Sequence, residues 1–265
     1  MADGTMSSNR DASLEARRLA RWGMDQPPIR TAAEAAAYVD DVGILLLFGD
    51  AKASFPSLRE VARDENAAML PAGWGEDLER VWTWKDQFPV EGAAWCGRFL
   101  MGRQSLLSPR MLQCLYPGDG AESDFESVEL SDTATRVARH LHDHGPTSMR
   151  TLRSVHGLDS RASQRILTEL GRALVVTNFG TAQDGPGWAS GVIELTTRAF
   201  SLQAGPPLPD RQRLAATQFV DTMVETNARE LGRALRWSRA DAERTLDELI
   251  AARTLRQMNC GTTLM

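Results

Sequence analysis

The sequence predicts a mainly α protein with small β-hairpins, an α+β chain built from tandem winged helix-turn-helix domains. Three observations lead there. Residues 131–199 read in order as three capped helices followed by two short strands with a turn between them. Residues 211–260 repeat the helix-helix-helix-strand order. Between the two lies Gly205-Pro206-Pro207-Leu208-Pro209, a stiff extended connector that separates units.

The first residues, Met1 to Asn9, are small, polar and uncapped, so residues 1–30 are expected to hold a partly disordered N-terminus and a first helix over 12–22. Pro27-Pro28 breaks that helix. Thr31 with Glu34 three residues later is a capping box for a second helix running to about Asp41. Gly43 to Phe48 follows as a buried strand or loop, and Pro56-Ser57-Leu58 opens a short helix through Val61. These elements define a winged-helix-like N-terminal unit over 31–118. Its densest aromatic stretch holds Trp74, Trp82, Trp84, Phe88 and Trp95, with Lys85-Asp86 among them. Indoles supply buried area that would anchor the unit on its neighbour, while aromatic walls around a charged pair would also suit a base pocket. Gly118 to Glu129 carries Asp119, Glu122, Asp124, Glu126 and Glu129 and reads as a linker.

The unit over 131–200 starts at Ser131-Asp132, an N-cap pair before a helix with Val137, Ala138 and Leu141 on one face, and Gly145-Pro146 ends it. Thr147 or Ser148 caps a second helix through Leu152 and Val155, which Gly157 closes. Ser160 caps a third. On that helix Ala162, Ile166, Leu170 and Ala173 form an apolar side, opposite Arg161, Arg165, Thr168 and Arg172. Leu174 to Thr177, a turn at Asp184-Gly185-Pro186-Gly187, and Val192 to Leu195 make the wing. In the unit over 210–265, helices span Arg211 to Glu225, Asn227 to Leu235, and a third capped by Ser238; Thr254 to Cys260 reads as a strand of a truncated wing. Glu243, Asp247 and Glu248 on that third helix would repel phosphate, so this unit is expected to meet protein, by contact with a partner or by self-association.

The chain's 265 residues, 42% of them apolar, allow a buried core. The longest apolar run, Ile44 to Phe48, is far shorter than the roughly 20 residues of a membrane span, and a cytoplasmic protein is expected. Cys96, Cys114 and Cys260 are three widely spaced thiols, expected buried and reduced, with neither a disulfide framework nor a zinc pattern. A net charge of −5 argues against a general nucleic-acid binder, yet residues 31–130 carry 8 basic and 17 acidic side chains while the other regions are slightly positive. Only Lys52 and Lys85 are lysines. Arginine suits bidentate phosphate contact, and coding bias gives the same composition.

All four histidines, His140, His142, His144 and His156, fall close together, but positions two apart on a helix do not share a face. No metal site and no cofactor is expected. There is no GxxxxGK, GxGxxG or GxSxG, which removes nucleotide-dependent and hydrolase-elbow chemistry. The arginine face of the third helix is the strongest functional signal, since a helix in a major groove needs donors outward. A solvated surface would carry the same residues. The predicted contacts with double-stranded DNA are Arg161, Gln164, Arg165, Thr168 and Arg172, with Arg150 and Arg153 on the preceding helix. Trp188 at the wing tip either folds back on its hairpin or inserts against a sugar or base.

These residues give the chain a family likeness. Val42-Gly43-Ile44-Leu45-Leu46 before Pro56-Ser57-Leu58, Val81-Trp82-Thr83-Trp84-Lys85-Asp86 before Phe88-Pro89, Gly97-Arg98-Phe99-Leu100, and the unit from Ser131 resemble the AlkZ/YcaQ-type winged-helix DNA glycosylases, and more closely their small relatives. The resemblance covers most of residues 31–260. It implies tandem winged helices around duplex DNA and metal-free hydrolysis of the N-glycosidic bond of bulky alkylated purines. It also implies a Gln-x-Gln or Gln-x-Asp pair that positions water, where this chain has Leu46 and Phe48, and a His-Glu pair where it has Trp84-Lys85. Hydrocarbon neither orients nor deprotonates water. Two functions stay open: a glycosylase-like binder of duplex DNA, alkylated or otherwise damaged, with any excision altered or absent, and a winged-helix transcriptional regulator without enzymatic activity. The substitute catalytic candidates are Lys85 and Asp86. A lysine desolvated among Trp82, Trp84 and Trp95 would offer a nucleophilic amine, with Asp86 as base or oxocarbenium stabiliser. The simpler reading places both as surface charges at a helix start, where adjacent side chains seldom converge.

Overall fold

The computed structural model describes residues 3–49, 54–71, 74–258 and 261–265, with side chains from residue 12 onward. Lys52 and Cys260 lie outside the described residues. The fold is mainly α with small antiparallel sheets, as the sequence predicts.

Helix α1 (Asp3–Arg21) takes in residues 3–9 of the stretch expected to fray. Helix α2 (Ala32–Val42) begins at the predicted capping box: Glu34 N donates to Thr31 Oγ1 at 3.2 Å and Thr31 N donates to Glu34 Oε2 at 3.0 Å. Gly43, at φ 74°, turns the chain into β1 (Ile44–Leu46). After α3 (Leu58–Val61) and α4 (Glu76–Glu91), β2 (Trp95–Arg98) and β3 (Gln104–Leu107) complete a sheet of order β1-β3-β2, and α5 (Pro109–Leu115) leads out. Lys85 and Asp86 therefore sit in the middle of α4, not at a helix start.

The next unit runs α6 (Asp132–His144), β4 (Thr147–Ser148), α7 (Met149–His156), α8 (Ser160–Arg172), β5 (Val176–Ala182), β6 (Ser190–Leu195) and α9 (Thr196–Ala199), with sheet order β4-β6-β5. Two local expectations change. Asp159, not Ser160, caps α8, accepting from Ala162 N at 2.6 Å. Leu174 has φ 58° and ends the helical segment, so the first strand of the predicted hairpin starts at Val176 and runs farther than predicted. The last unit has α10 (Leu208–Met223), α11 (Ala228–Leu235), α12 (Arg239–Ala251), β7 (Leu255–Gln257) and β8 (Thr262–Leu264). Thr226 bridges Thr262 on β8, so here too the segment after the first helix pairs with the last strand. One connection order thus recurs three times: helix, short strand or bridge, two helices, two strands.

Packing does not follow the same divisions. Trp22, Ile44, Trp95, Leu107, Phe219, Leu231 and Leu246 belong to one buried cluster, so the first and last units share a core. Indole Nε1 of Trp22 donates to Thr222 O at 2.7 Å, and Thr222 Oγ1 donates to Val42 O at 2.5 Å. Apolar faces of the last unit are covered by this chain's own N-terminal unit. The acidic stretch read as a linker contributes Phe125 to the core of the middle unit. Burying these side chains, at about 25 cal/mol per Å² of apolar surface, holds the first and last units together.

Helix α8 lies across β2. A Cβ on Gly171 would stand 2.8 Å from Arg98 N, a backbone atom that cannot yield as a flexible side chain would. Gly171→Ala is expected to force α8 off β2 and lower stability by roughly 1–3 kcal/mol. A thermal melt unchanged from the parent would contradict that approach.

Candidate nucleic-acid groove and interior polar pocket

With its apolar side on the middle unit's core and Gly171 against β2, α8 has one narrow free stripe. Arg161, Arg165 and Arg172 occupy it, exposed and without a side-chain hydrogen bond or ion pair among the described residues. They line a groove of about 990 Å³, closed on its far side by Leu235, Arg236 and Trp237 of the last unit. Arg236 holds the left-handed φ of 62° beyond α11 and donates to Arg172 O, tying the two walls. Burial, and then the neighbouring Arg172 charge, pull its pKa down. Two acids line the groove with the four arginines: Glu169 accepts from Ser131 N at 2.5 Å and Ser131 Oγ at 2.9 Å, which commits its carboxylate to the start of α6, and Glu129 is exposed at the rim. The groove is left cationic.

The other predicted DNA contacts are distributed differently. Gln164 Oε1 accepts from Arg98 Nη2, and Thr168 Oγ1 donates to Gln164 O at 2.8 Å, so this flank of α8 faces the N-terminal unit. Arg150 donates to Pro186 O and Trp188 O at 3.3 Å and lies 3.4 Å from Asp184, which makes it a brace for the β5–β6 turn. Arg153 Nε donates to Met149 O at 3.3 Å. Trp188 is 78% exposed, yet its ring leans on Trp74 of the N-terminal unit with centroids 5.9 Å apart.

Lys85 and Asp86 do converge. Nζ of Lys85 donates to Asp86 Oδ1 at 2.5 Å and lies 4.5 Å from the Trp82 ring centroid, and Lys85 is only 7% exposed. Position 85 points inward because α4 buries Val81, Trp84 and Phe88 on the same side. Burial raises the Asp86 carboxyl's pKa, with the hydrogen bond and charge of Lys85 opposing it. The pair borders a pocket of about 180 Å³ between the first two units, with Arg98, Gln104, Gln164 and Asn178 around it. Sequence reasoning missed Gln104, Asn178 and Arg236. Arg98 stood in a quoted motif with no role attached; a lone amide on a short strand gives no signal at all.

Leu46 is fully buried, and Phe48 packs on Trp82 with centroids 6.1 Å apart, so the two hydrocarbon positions are structural here. His140 stacks on His144 at 4.4 Å and meets His156 edge-on at 5.3 Å, while His142 turns to Asp143 and Phe125. Among the described residues no group of three or more His, Cys, Asp or Glu is arranged to hold a metal ion. Cys96 is buried and Cys114 partly so. No helix is long and apolar enough to cross a membrane among the described residues.

Comparison with known proteins gives two matches. A family model described as AlkZ related matches residues 29–233. The solved structure of the DNA glycosylase AlkZ of Streptomyces sahachiroi superposes with a TM-score of 0.59 at 12% sequence identity, over 95% of this chain and 69% of that one. No curated protein matches.

Proposed function

The chain belongs to the AlkZ-related family, and from that premise we propose that it binds duplex DNA as a glycosylase-like protein built of three winged-helix units. The observation that carries the proposal is the row of Arg161, Arg165 and Arg172, unpaired on a groove between two units. Leaving three guanidinium groups without carboxylate partners, in a chain of net charge −5, favours a polyanion at that place. Alkylated or otherwise damaged duplex is the preferred form, and a cytoplasmic setting goes with it. The family's glutamine pair is absent at Leu46 and Phe48, so glutamine-assisted hydrolysis is not part of the proposal. The regulator reading has less support: with Gln164 bonded to Arg98 and Gly171 against β2, α8 presents arginines to an interdomain cradle and not a whole face to a major groove.

Replacing Arg161, Arg165 and Arg172 together by Glu is expected to abolish duplex binding in a gel-shift. Single Arg→Gln changes are expected to flatten the slope of log affinity against log salt by about 0.9 each. Unchanged affinity and slope in the triple variant would overturn the proposal. Running a duplex with N7-alkylpurines beside its undamaged counterpart, and scoring incision on both, separates damage recognition from plain binding.

A further inference from the structure

Where α1, α10 and α11 meet they enclose another cavity, of about 220 Å³, and its place follows from the sequence. Phe219 and Met223 stand one turn apart on α10 and turn inward together, both buried. Across the space, the buried position 234 of α11 holds only an alanine, whose small side chain leaves room. Phe55, its ring centroid 6.2 Å from that of Phe219, and Met101 form the sides. None of the described residues around this cavity lines the arginine groove or the pocket beside Lys85.

The mouth carries the charge. Arg18 of α1 donates through Nε to Met223 O at 2.9 Å and through Nη2 to Glu225 O at 3.0 Å, and its Nη1 is left over. Both acceptors are backbone carbonyls, so these bonds fix where the guanidinium stands without neutralising it. Arg233 of α11 is exposed and has neither a hydrogen bond nor an ion pair among the described residues. Glu230, the acid at the mouth among the described residues, accepts from Thr226 Oγ1 at 3.3 Å and pairs with neither arginine. The Glu225 carboxylate is paired with Arg17 at 3.5 Å. Two cations against one anion leave the mouth positive over an apolar floor.

Size and charge together narrow the ligand. A dry cavity of roughly 150 Å³ accepts benzene, so about 220 Å³ holds one ring, or a short branched chain, with a head group. A guanidinium fork matches a carboxylate in both shape and charge. We propose that this cavity binds a small monocarboxylate with a compact apolar body, the body against Phe219 and Met223 and the carboxylate held at the mouth by Arg18 and Arg233. The site stands independently of the DNA binding proposed above, and its test reads no DNA.

Phenylacetate is titrated into the full chain by calorimetry, beside phenylacetamide, which keeps the ring and lacks the charge. Phenylacetate is expected to saturate one site and to bind at least about tenfold more tightly than the amide, a difference of about 1.4 kcal/mol. Arg233→Gln changes an exposed, unbonded side chain, so it is expected to keep the parent's melting temperature while cutting that preference at least about threefold. Arg256→Gln, at an exposed arginine of β7 outside the cavity, is expected to leave the preference intact. Met101→Gly takes away one wall. The φ of 51° at that position is left-handed and suits glycine, so this variant is expected to fold while binding acid and amide alike more weakly. The proposal is overturned by no saturable binding of phenylacetate to the parent, by equal affinity for acid and amide, by a preference undiminished in Arg233→Gln, or by one lost to the same extent in Arg256→Gln.

Discussion

Deleting residues 205–265 is expected to unfold the remaining chain, not to release an independent N-terminal protein. Ala215, Ala216, Phe219, Val220 and Met223 of α10 are buried in the same cluster as Ile44, Trp95 and Leu107 of the first sheet. Removing α10 would expose that sheet's inner face along with Trp22, whose indole bonds to Thr222. Even the single change Phe219→Ala, at a fully buried ring, is expected to cost about 3–5 kcal/mol. Against a total stability of about 5–15 kcal/mol, that is a large share. Near-UV circular dichroism during a thermal melt checks both. A truncated chain that melts cooperatively at the parent's temperature would show that the shared core is not what holds the first unit together.

The joining of first and last units was not legible in the sequence, and the reason is physical. Local signals report the residues that make them: the Thr31-Glu34 capping box, Gly157 at φ 61° beyond α7, and Asn227 and Ser238 as caps all stand where pattern reading put them. Which apolar face meets which is set by packing between segments 180 to 200 residues apart, and hydrophobic periodicity carries no address. Charge pairing shows the same division between local and distant signals on α12. Glu243 pairs with Arg239 at 2.7 Å and Glu248 with Arg213 of α10 at 2.9 Å, so α12 is less anionic than its sequence alone suggests.

The candidate site divides along the same line. Arg161, Arg165 and Arg172 were recognisable because their shared face follows from helical spacing, a local property. Gln164 and Thr168 share nearly the same face but lie toward β2, and only the close approach of Gly171 to Arg98 decides that they serve the interface between units. Lys85 was singled out for its aromatic surroundings, which hold for Trp82, while its burial depends on β5 crossing α4 from a unit far along the chain.

Lys85→Met is expected to destabilise the protein by about 3–5 kcal/mol, because it leaves the Asp86 carboxylate partly buried with no cation beside it. The loss should depend on pH in a definite sense. Burial already raises the Asp86 pKa in the folded protein above its ordinary 3.8, against the pull of Lys85. A raised pKa means that the folded state favours the protonated acid: this contribution to stability is complete below the ordinary value and is lost as pH rises through the folded one. Without Lys85 the opposing pull is gone, and that window moves upward. Melts of the variant from about pH 4 to about pH 8 should therefore fall further below the parent as pH rises, and Lys85→Met with Asp86→Leu should recover most of the loss. The same geometry bears on chemistry. The carboxylate at 2.5 Å and the Trp82 face at 4.5 Å both attract an ammonium, whereas attack on an abasic sugar needs a neutral amine. Borohydride treatment of the protein with abasic duplex is expected to trap no covalent adduct; a band that vanishes in Lys85→Ala would make Lys85 a nucleophile and the ion pair a resting state.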